Sequence, residues 1–432
     1  MRDEANHSVL VFPHSFKETQ EGFADSYVLQ YTETADGTPE SITTGNIVGF
    51  IGKGNVDIRI RSRFSTGEDD YFLYYMMEKV LAVSMMNLMT STSKEDSVID
   101  LMLLFFPKML KEALAQGVYK RYVYHEYNDA NVKGAIDINR HIRFNIPFNG
   151  RVAYRTREFS YDNPVTQLIR HTIEYIRRKP FGQLVLHNDA ETEGSVQQII
   201  LATPTYSECQ RQTIVNDNLH PFSHPYFSKY APLIKLCLSI LRHERLAYGK
   251  DKENKVYGVL IDAAWLWEEY VAQVINPIGG EHYTRKISNY NLFKDNGGEF
   301  QQIIPDYLKG EEGDYEWVAD AKYIPLSRVR HLYADKAERV YYKTIMYMYR
   351  FNTDKGFLFY PEDKAEQSIS TPFTILGGRG GVLHMVGLAI PRSTKGYFDF
   401  KTCMAIKEDY FLKLLTKDYS DFKTCMAFKK KN

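Results

Sequence analysis

Apolar and polar residues alternate along the first part of the chain, a pattern typical of β-structure. The clearest run covers residues 56–64, where a period of two places the apolar side chains on one face. The opposite face carries Arg59, Arg61 and Arg63. This arginine face has two interpretations: it is a solvated sheet surface, or it contacts phosphates or an acidic partner. Alternation returns over residues 119–160, after a helical pattern that begins at about residue 69 and ends at about residue 114.

Helical periodicity dominates the middle of the chain. Asp162 or Asn163 provides an N-cap, Pro164 suits the first turn, and the apolar residues that follow recur at helical spacing. A charged, glycine-containing stretch at residues 249–255 predicts a domain boundary. We therefore predict three parts: a β-rich N-terminal domain with a helical insertion (residues 1–160), a helical middle region (161–250) and a last domain (251–432).

The last domain follows the order helix, strand, strand, helix, strand, which predicts an α/β core. Its first helix is predicted over residues 263–275, with Asp262 as the N-cap. Glu268 and Glu269 lie on opposite flanks of the apolar stripe of this helix. One of them is expected to face an adjacent cleft and the other to meet solvent, and periodicity alone does not decide which.

Two acids and a lysine lie near the ends of a predicted hairpin, whose strands we place at residues 300–304 and 315–323. If the hairpin folds symmetrically about Gly313, Asp306 lies opposite Asp320, and Lys322 shares a face with Asp320. Two close carboxylates repel each other unless a cation neutralises them. Mg²⁺, with Mn²⁺ as the alternative ion, fits such a pair, and Glu268 is a further or water-mediated ligand. Taken alone, the pattern also fits a charged hairpin without a catalytic role.

Composition narrows the classes of function. The chain has 432 residues, of which 44% are hydrophobic and 25% charged, as expected of two or three folded domains. Its formal net charge of zero excludes the strongly basic type of stand-alone DNA-binding protein. No apolar run reaches the ~20 residues that span a membrane, and the four cysteines lack CxxC spacing. We expect a cytoplasmic protein without a zinc site or a disulfide scaffold.

Several segments in the same order carry a family resemblance. Residues 260–271 contain an acid followed by an LWEEYV helix pattern, and Pro305-Asp306 and the DAKY sequence at residues 320–323 follow. Upstream, residues 48–60, 132–137 and 159–163 add matching strand and turn patterns. Together these segments resemble the McrC subunit of modification-dependent restriction systems and the related LlaJI-type subunits, a branch of the PD-(D/E)xK nuclease fold.

The resemblance implies a fold class and a function. The expected fold is α+β in the N-terminal and middle regions, followed by an α/β PD-(D/E)xK restriction-endonuclease-like domain. The implied activity is Mg²⁺-dependent cleavage of DNA, in which Asp306 and Asp320 bind the metal, Lys322 is catalytic and Glu268, selected over Glu269, assists. The alternatives are a scaffold that activates an NTPase through a degraded nuclease fold, and a stand-alone structure-specific nuclease.

The resemblance also implies a partner, a separate McrB-like AAA+ NTPase, commonly a GTPase, which the N-terminal domain enters and stimulates. This sequence has no GxxxxGK[ST] motif, so a nucleotide motor would be a separate chain. The chain departs from the family pattern in two places. Ser62-Arg63 stands where Pro-Lys is usual, and Lys343 stands where many relatives carry glutamine, four residues before Tyr347. Lys343 and Tyr347 join the three arginines as candidates for contact with DNA or the partner.

Overall fold

A computed structural model of the protein describes fourteen stretches of the chain. These are residues 8–12, 30–33, 39–43, 45–53, 56–65, 70–81, 96–179, 181–220, 222–248, 256–282, 290–295, 297–324, 334–363 and 365–416. The boundary predicted at residues 249–255 lies outside them.

Strands and helices alternate in blocks along the first 250 residues. In chain order they are β1 (Ser8–Phe12), β2 (Gln30–Glu33), β3 (Pro39–Thr43), β4 (Ile47–Lys53), β5 (Val56–Ile60), α1 (Tyr71–Leu81), α2 (Asp96–Leu114), β6 (Arg121–Asp129), β7 (Ala135–Ile136), α3 (Ile138–Asn145), β8 (Val152–Ser160), α4 (Pro164–Arg177), α5 (Gly182–Leu186), α6 (Ala190–Ala202), α7 (Arg211–Asp217) and α8 (Tyr230–Tyr248). The β-rich start and the helical middle agree with the predicted fold class.

The remaining elements form the C-terminal part. They are β9 (Val256–Asp262), α9 (Ala263–Ile275), β10 (Glu281–His282), β11 (Asn291–Asp295), β12 (Gly298–Gln302), β13 (Tyr307–Glu311), β14 (Asp314–Ala321), α10 (Ala334–Arg350), β15 (Lys355–Glu362), β16 (Ile369–Thr374), β17 (Val382–Ala389) and α11 (Tyr397–Thr416). The predicted helix after Asp262, the tyrosine-rich helix and the strand that follows it are all present.

The chain divides into two compact units, each assembled from separated segments. One unit combines Met1–Leu10, Ile51–Asp57 and Asn87–Val259, and the other combines Val11–Phe50, Ile58–Met86 and Leu260–Asn432. This division differs from the three consecutive parts proposed from the sequence, because most of residues 11–86 belongs to the unit of the C-terminal segment.

The unit that contains residues 87–259 has a helical core and a small antiparallel sheet. Asn163 caps α4 by accepting hydrogen bonds from the N–H groups of Val165 and Thr166, as its position before Pro164 predicts. The predicted apolar face of α4 is buried and packs against α6 and α8. The sheet has the order β6-β8-β7, and α3 packs on β8.

The unit that contains residues 260–432 is built on a six-stranded mixed sheet of order β10-β13-β14-β15-β17-β16. β14, β15 and β17 run parallel, whereas β13 and β16 pair antiparallel with their neighbours. Val340 of α10 packs on the face that carries Leu358. Phe411 of α11 contacts Phe359, which points to the opposite face because side chains alternate along a strand.

Three smaller sheets complete the described strands. A four-stranded sheet has the order β1-β9-β4-β5, and β2-β3 and β11-β12 are two-stranded. The prediction that residues 300–304 form the first strand of the acidic hairpin is therefore wrong, because Phe300 lies opposite Phe293 in the β11-β12 hairpin. Pro305 separates that hairpin from β13, since proline has no N–H to donate and restricts the preceding residue. None of the described helices is long and apolar enough to cross a membrane.

Candidate active site

The β13-β14 hairpin brings two acidic side chains to the same place. Tyr307 lies opposite Ala319, so Asp306, which immediately precedes β13, faces Asp320 across the hairpin. The N–H of Ala321 donates to Asp306 Oδ2 at 2.6 Å. The predicted pairing of Asp306 with Asp320 is therefore confirmed. Symmetry about Gly313 holds only at this end of the hairpin, because the register shifts at Gly310, which lies opposite Tyr315. The strands are Tyr307–Glu311 and Asp314–Ala321 rather than the predicted segments.

A bulge at Gly310 allows the tight connection between the two strands. Gly310 has a φ of 112°, a conformation that side chains with a Cβ rarely adopt. A Cβ at this position would lie 2.5 Å from the carbonyl oxygen of Asp314. The hairpin that carries the two acids therefore requires glycine at position 310.

Asp320 is the most buried carboxylate of the group, and two lysines approach it. Its Oδ2 forms an ion pair with Lys322 Nζ, as expected for two residues on one face of a strand. Lys322 Nζ also donates to the carbonyl oxygen of Ala321 at 3.0 Å. Lys343 Nζ, from α10, lies 3.5 Å from Asp320 Oδ1. Burial lowers the pKa of Lys343, but the charge of Asp320, together with Tyr347 and Asp306, outweighs burial, so the pKa is raised.

Glu268 approaches the group from α9. Asp262 caps this helix by accepting a hydrogen bond from the N–H of Ala264 at 2.9 Å. The hydroxyl of Tyr307 donates to the backbone carbonyl of Glu268 at 2.7 Å, which joins α9 to β13. Burial raises the pKa of Glu268 to about 7; Lys322 opposes this rise and the charge of Asp320 adds to it.

The prediction that the other glutamate meets solvent is wrong. Glu269 is buried, because α9 packs against α1 as well as against the sheet. Periodicity within α9 gives no information about α1, which lies almost 200 residues earlier in the chain.

Burial and the neighbouring acids disfavour the ionised form of Asp306. Burial raises the pKa of Asp306 well above its usual range, and the charges of Asp320 and Glu268 raise it further, against Lys322 and the N–H of Ala321. Among the described residues, no group of three or more His, Cys, Asp or Glu side chains is placed so that it could hold a metal ion. Two carboxylates are nevertheless a donor set that suits Mg²⁺, which completes its shell with water and phosphate oxygens.

Tyr347 lies beneath the site instead of on a surface. Its ring is buried, and its hydroxyl donates to the carbonyl oxygen of Ile304 at 2.7 Å. Lys343 Nζ lies 5.4 Å from the centre of this ring. The proposed contact of Tyr347 with DNA or a partner is therefore replaced by a supporting role, in which it holds the segment that leads to Asp306.

The three predicted arginines lie together on an exposed face. Arg59, Arg61 and Arg63 are exposed, and they alternate with buried residues at positions 60, 62 and 64. Arg59 donates to the hydroxyl of Tyr74 at 3.3 Å, and Arg63 donates to Asn46 Oδ1 at 2.8 Å. Ile58 departs from the predicted alternation because its side chain is also exposed.

A hydrogen bond that the sequence patterns do not predict links this segment to the acidic hairpin. The hydroxyl groups of Ser62 and Tyr323 lie 2.7 Å apart, and Tyr323 directly follows Lys322 in the chain. Asp70 Oδ2 accepts a hydrogen bond from the N–H of Ser62 at 2.9 Å. A signal was present, because Ser62 is a polar residue on the apolar side of the alternation, between Ile60 and Phe64.

Two solved structures are similar to the chain at low identity. The half-complex from the tetradecameric assembly of Thermococcus gammatolerans McrB AAA+ hexamers with bound McrC matches at 14% identity, over 94% of this chain and 90% of that chain, with a TM-score of 0.40. The cryo-EM structure of the Thermococcus gammatolerans McrBC complex matches at 15% identity, over 58% of this chain and 69% of that chain, with a TM-score of 0.27. The comparison with curated proteins gave no significant match.

A protein-family model matches most of the sequence. It covers residues 42–361, and its description is McrBC 5-methylcytosine restriction system component. The match includes the arginine face, the middle helices and the acidic hairpin. This chain therefore belongs to the family of McrBC 5-methylcytosine restriction system components.

Proposed function

We propose that the chain is the Mg²⁺-dependent endonuclease subunit of its restriction system and hydrolyses phosphodiester bonds in DNA. The observation that carries the proposal is the convergence of Asp306, Asp320 and Lys322 at one end of the β13-β14 hairpin. Glu268 lies near enough for its pKa to respond to Lys322 and Asp320. Membership of a restriction-system family supports this reading over that of a charged hairpin without a catalytic role.

Each side chain of the group has a role in the proposed reaction. Asp306 and Asp320 would hold Mg²⁺, and Glu268 would be a further or water-mediated ligand. The bound ion would supply positive charge at the scissile phosphate and lower the pKa of the attacking water. Lys322 orients that water or stabilises the developing negative charge, and Lys343 places a second ammonium group beside Asp320.

The fold of this unit supports assignment to the PD-(D/E)xK nucleases. Asp306 immediately precedes β13 and Asp320 lies on the neighbouring antiparallel strand β14, with Lys322 two residues after Asp320. α10 packs on one face of the mixed sheet and α11 on the other. The core thus presents its acidic cluster from a rigid scaffold, as a site that must position water and phosphate accurately requires.

We propose a separate McrB-like AAA+ NTPase as the partner of this chain. The family description names a system with several components, and this sequence contains no phosphate-binding GxxxxGK[ST] loop. The neutral formal charge also fits a subunit whose partner supplies much of the attraction to DNA. The exposed arginine face at residues 59–63 is the surface that we assign to the partner or to DNA.

A cleavage assay tests the proposed activity. DNA that contains 5-methylcytosine is incubated with Mg²⁺ and the purified chain, with and without the proposed McrB-like NTPase. Asp306→Asn and Lys322→Ala should lower cleavage by about 100-fold or more, since each removes charge stabilisation at the reacting phosphate. Asp314→Asn is the matched control, because Asp314 is an exposed acid of the same hairpin.

The outcomes separate the candidate functions. Equal cleavage by the wild type and the Asp306 and Lys322 variants would remove the assigned site. Cleavage that persists in EDTA would contradict the dependence on a divalent metal ion. A chain that stimulates the NTPase but never cleaves DNA would be an activator, and cleavage at full rate without the NTPase would indicate a stand-alone nuclease.

A further inference from the structure

One face of the β6-β8 sheet carries aromatic and cationic side chains in two facing columns. Tyr122 lies opposite Phe159, and Tyr124 lies opposite Arg157. Lys120 and Tyr161 continue the same face at the next alternate positions, and Lys120 Nζ lies 4.0 Å from the centre of the Tyr161 ring. We call these six residues the aromatic ladder: Lys120, Tyr122, Tyr124, Arg157, Phe159 and Tyr161.

The rings of the ladder are unusually accessible for side chains of their size. The exposed fractions are 54% for Tyr122, 68% for Tyr124, 56% for Phe159 and 44% for Tyr161. α3 packs over the other end of this face, where Asn145 Nδ2 donates to Asn128 Oδ1 at 2.8 Å. Contiguous exposed rings are costly in water and mark a surface that binds something.

The two cations of the ladder interact with rings instead of carboxylates. The Arg157 guanidinium lies 4.4 Å from the centre of Tyr122, and Lys120 Nζ also lies 5.6 Å from the centre of Phe159. Within the described part of the chain, neither cation forms an ion pair.

Two acids near the ladder are paired with cations: Glu126 pairs with Arg140 at 3.4 Å, and Asp137 pairs with Arg155 at 3.3 Å. Glu158 lies between Arg157 and Phe159, but side-chain alternation along β8 places it on the opposite face, where it accepts hydrogen bonds from Tyr127 and Thr156. The six residues of the ladder therefore present two cations among exposed rings.

We propose that the aromatic ladder binds a single-stranded nucleic acid, with unpaired bases on the rings and phosphates beside Lys120 and Arg157. Every base has a face that stacks on an aromatic side chain, and cations between the rings meet the backbone that joins the bases. An uncharged protein surface would bury both cations without a counter-charge, which is unfavourable. The ladder is distinct from the carboxylate site, and its binding does not depend on cleavage.

Fluorescence anisotropy of a labelled single-stranded oligonucleotide, with the full-length chain in EDTA, tests this site. Tyr122→Ala and Tyr124→Ala should each weaken binding about 5- to 100-fold, because each removes one stacking surface. Tyr124→Phe should keep the affinity, since the ring remains. Tyr226→Ala is the matched control, because Tyr226 is 65% exposed and lies outside the ladder. Arg157→Ala should reduce the slope of log affinity against log salt by about 0.7.

A second ligand distinguishes stacking from attraction to the backbone alone. An abasic oligonucleotide of the same length should bind at least several-fold more weakly than the base-containing one, and DNA and RNA forms of one sequence identify the preferred sugar. Equal binding of the abasic strand would overturn the proposal. Loss of NTPase binding by Tyr124→Ala, with unchanged oligonucleotide affinity, would also overturn it and assign the ladder to a protein contact. Asp306→Asn should keep its affinity for the oligonucleotide, since Asp306 lies outside the ladder, and a loss of binding in this variant would overturn the assignment of binding to the ladder.

Discussion

Three carboxyl groups and two ammonium groups share the candidate site, so its charge balance depends on pH. Burial and the neighbouring acids raise the pKa values of Glu268 and Asp306, whereas Lys322 opposes both shifts. A carboxyl group whose pKa is raised by folding binds its proton more tightly in the folded state than in the unfolded state. The site is therefore under electrostatic strain when its acids are ionised without a metal ion.

The metal-free chain should lose stability as the pH rises. Protonated Glu268 stabilises the folded state. This contribution to the free energy of unfolding is fully present below the unfolded pKa of about 4.5, and it is lost as the pH rises through the folded pKa of about 7. Between those pH values, the free energy of unfolding of the wild type should fall by on the order of 2 kcal/mol more than that of Glu268→Gln. Urea unfolding in EDTA, from pH 4.5 to pH 7.5, measures the effect. Glu299→Gln, at an exposed acid, is the control, and an unchanged pH profile in the Glu268 variant would contradict the assignment of strain.

At the scale of elements, one buried carboxylate joins three helices of the same unit. Glu408 of α11 accepts hydrogen bonds from the hydroxyl of Tyr75 in α1 at 2.9 Å and from that of Tyr270 in α9 at 2.6 Å. Lys79 adds an ion pair at 3.2 Å. Because Tyr270 lies two residues after Glu268, this network holds the helix that carries the catalytic candidate.

Glu408→Ala should destabilise the chain by roughly 2–4 kcal/mol, because two buried hydroxyl groups and a lysine lose their acceptor. Asp409→Ala, at the next and exposed position of α11, should change the free energy of unfolding by less than about 0.5 kcal/mol. Urea denaturation of both variants provides the comparison. Similar losses of stability in the Glu408 and Asp409 variants would contradict the stabilising role of the hydrogen-bond network around Glu408.

Local signals predicted some elements and missed others for physical reasons. Asn163 followed by Pro164, and symmetry about Gly313, identified α4 and the hairpin register because capping and turn formation depend on adjacent residues. The segment before Pro305 was misassigned, since Phe300 pairs with Phe293 in a separate local hairpin. Burial of Glu269 and the Ser62–Tyr323 hydrogen bond come from packing between distant segments, which periodicity does not encode.

At the scale of the whole molecule, the proposed cutting and partner-binding functions should be separable. Asp306 lies inside one compact unit, and its Oδ2 accepts a hydrogen bond from Ala321. An asparagine oxygen retains that acceptor but removes the negative charge. The substitution should therefore leave the fold and the exposed surfaces of the chain unchanged.

Asp306→Asn should abolish DNA cleavage and still stimulate the partner NTPase to within about twofold of the wild type, since the change is buried and isosteric. Nucleotide hydrolysis by the partner, measured with wild-type and variant chains at equal concentration, checks this expectation. The double variant with Arg59→Ala and Arg61→Ala provides the reciprocal test. Its stimulation of the NTPase should be reduced if the arginine face contacts the partner. A loss of stimulation in the Asp306 variant would mean that the two functions share the site.

The unit that contains residues 260–432 is assembled from separated segments of the chain, which affects how a cell would treat a cleaved copy. The hydroxyl of Ser62 meets Tyr323, and the ring of Phe72 packs 6.2 Å from Trp267 and 6.1 Å from Tyr270. A protease cut between residues 86 and 260 would release a C-terminal fragment that keeps every proposed catalytic side chain but loses these contacts. Such a fragment would expose the aromatic surface that Phe72 covers, and cellular proteases should recognise it as misfolded. We therefore expect the proposed cleavage activity to require an uncut polypeptide, because separated segments of the chain build the unit that carries the candidate site.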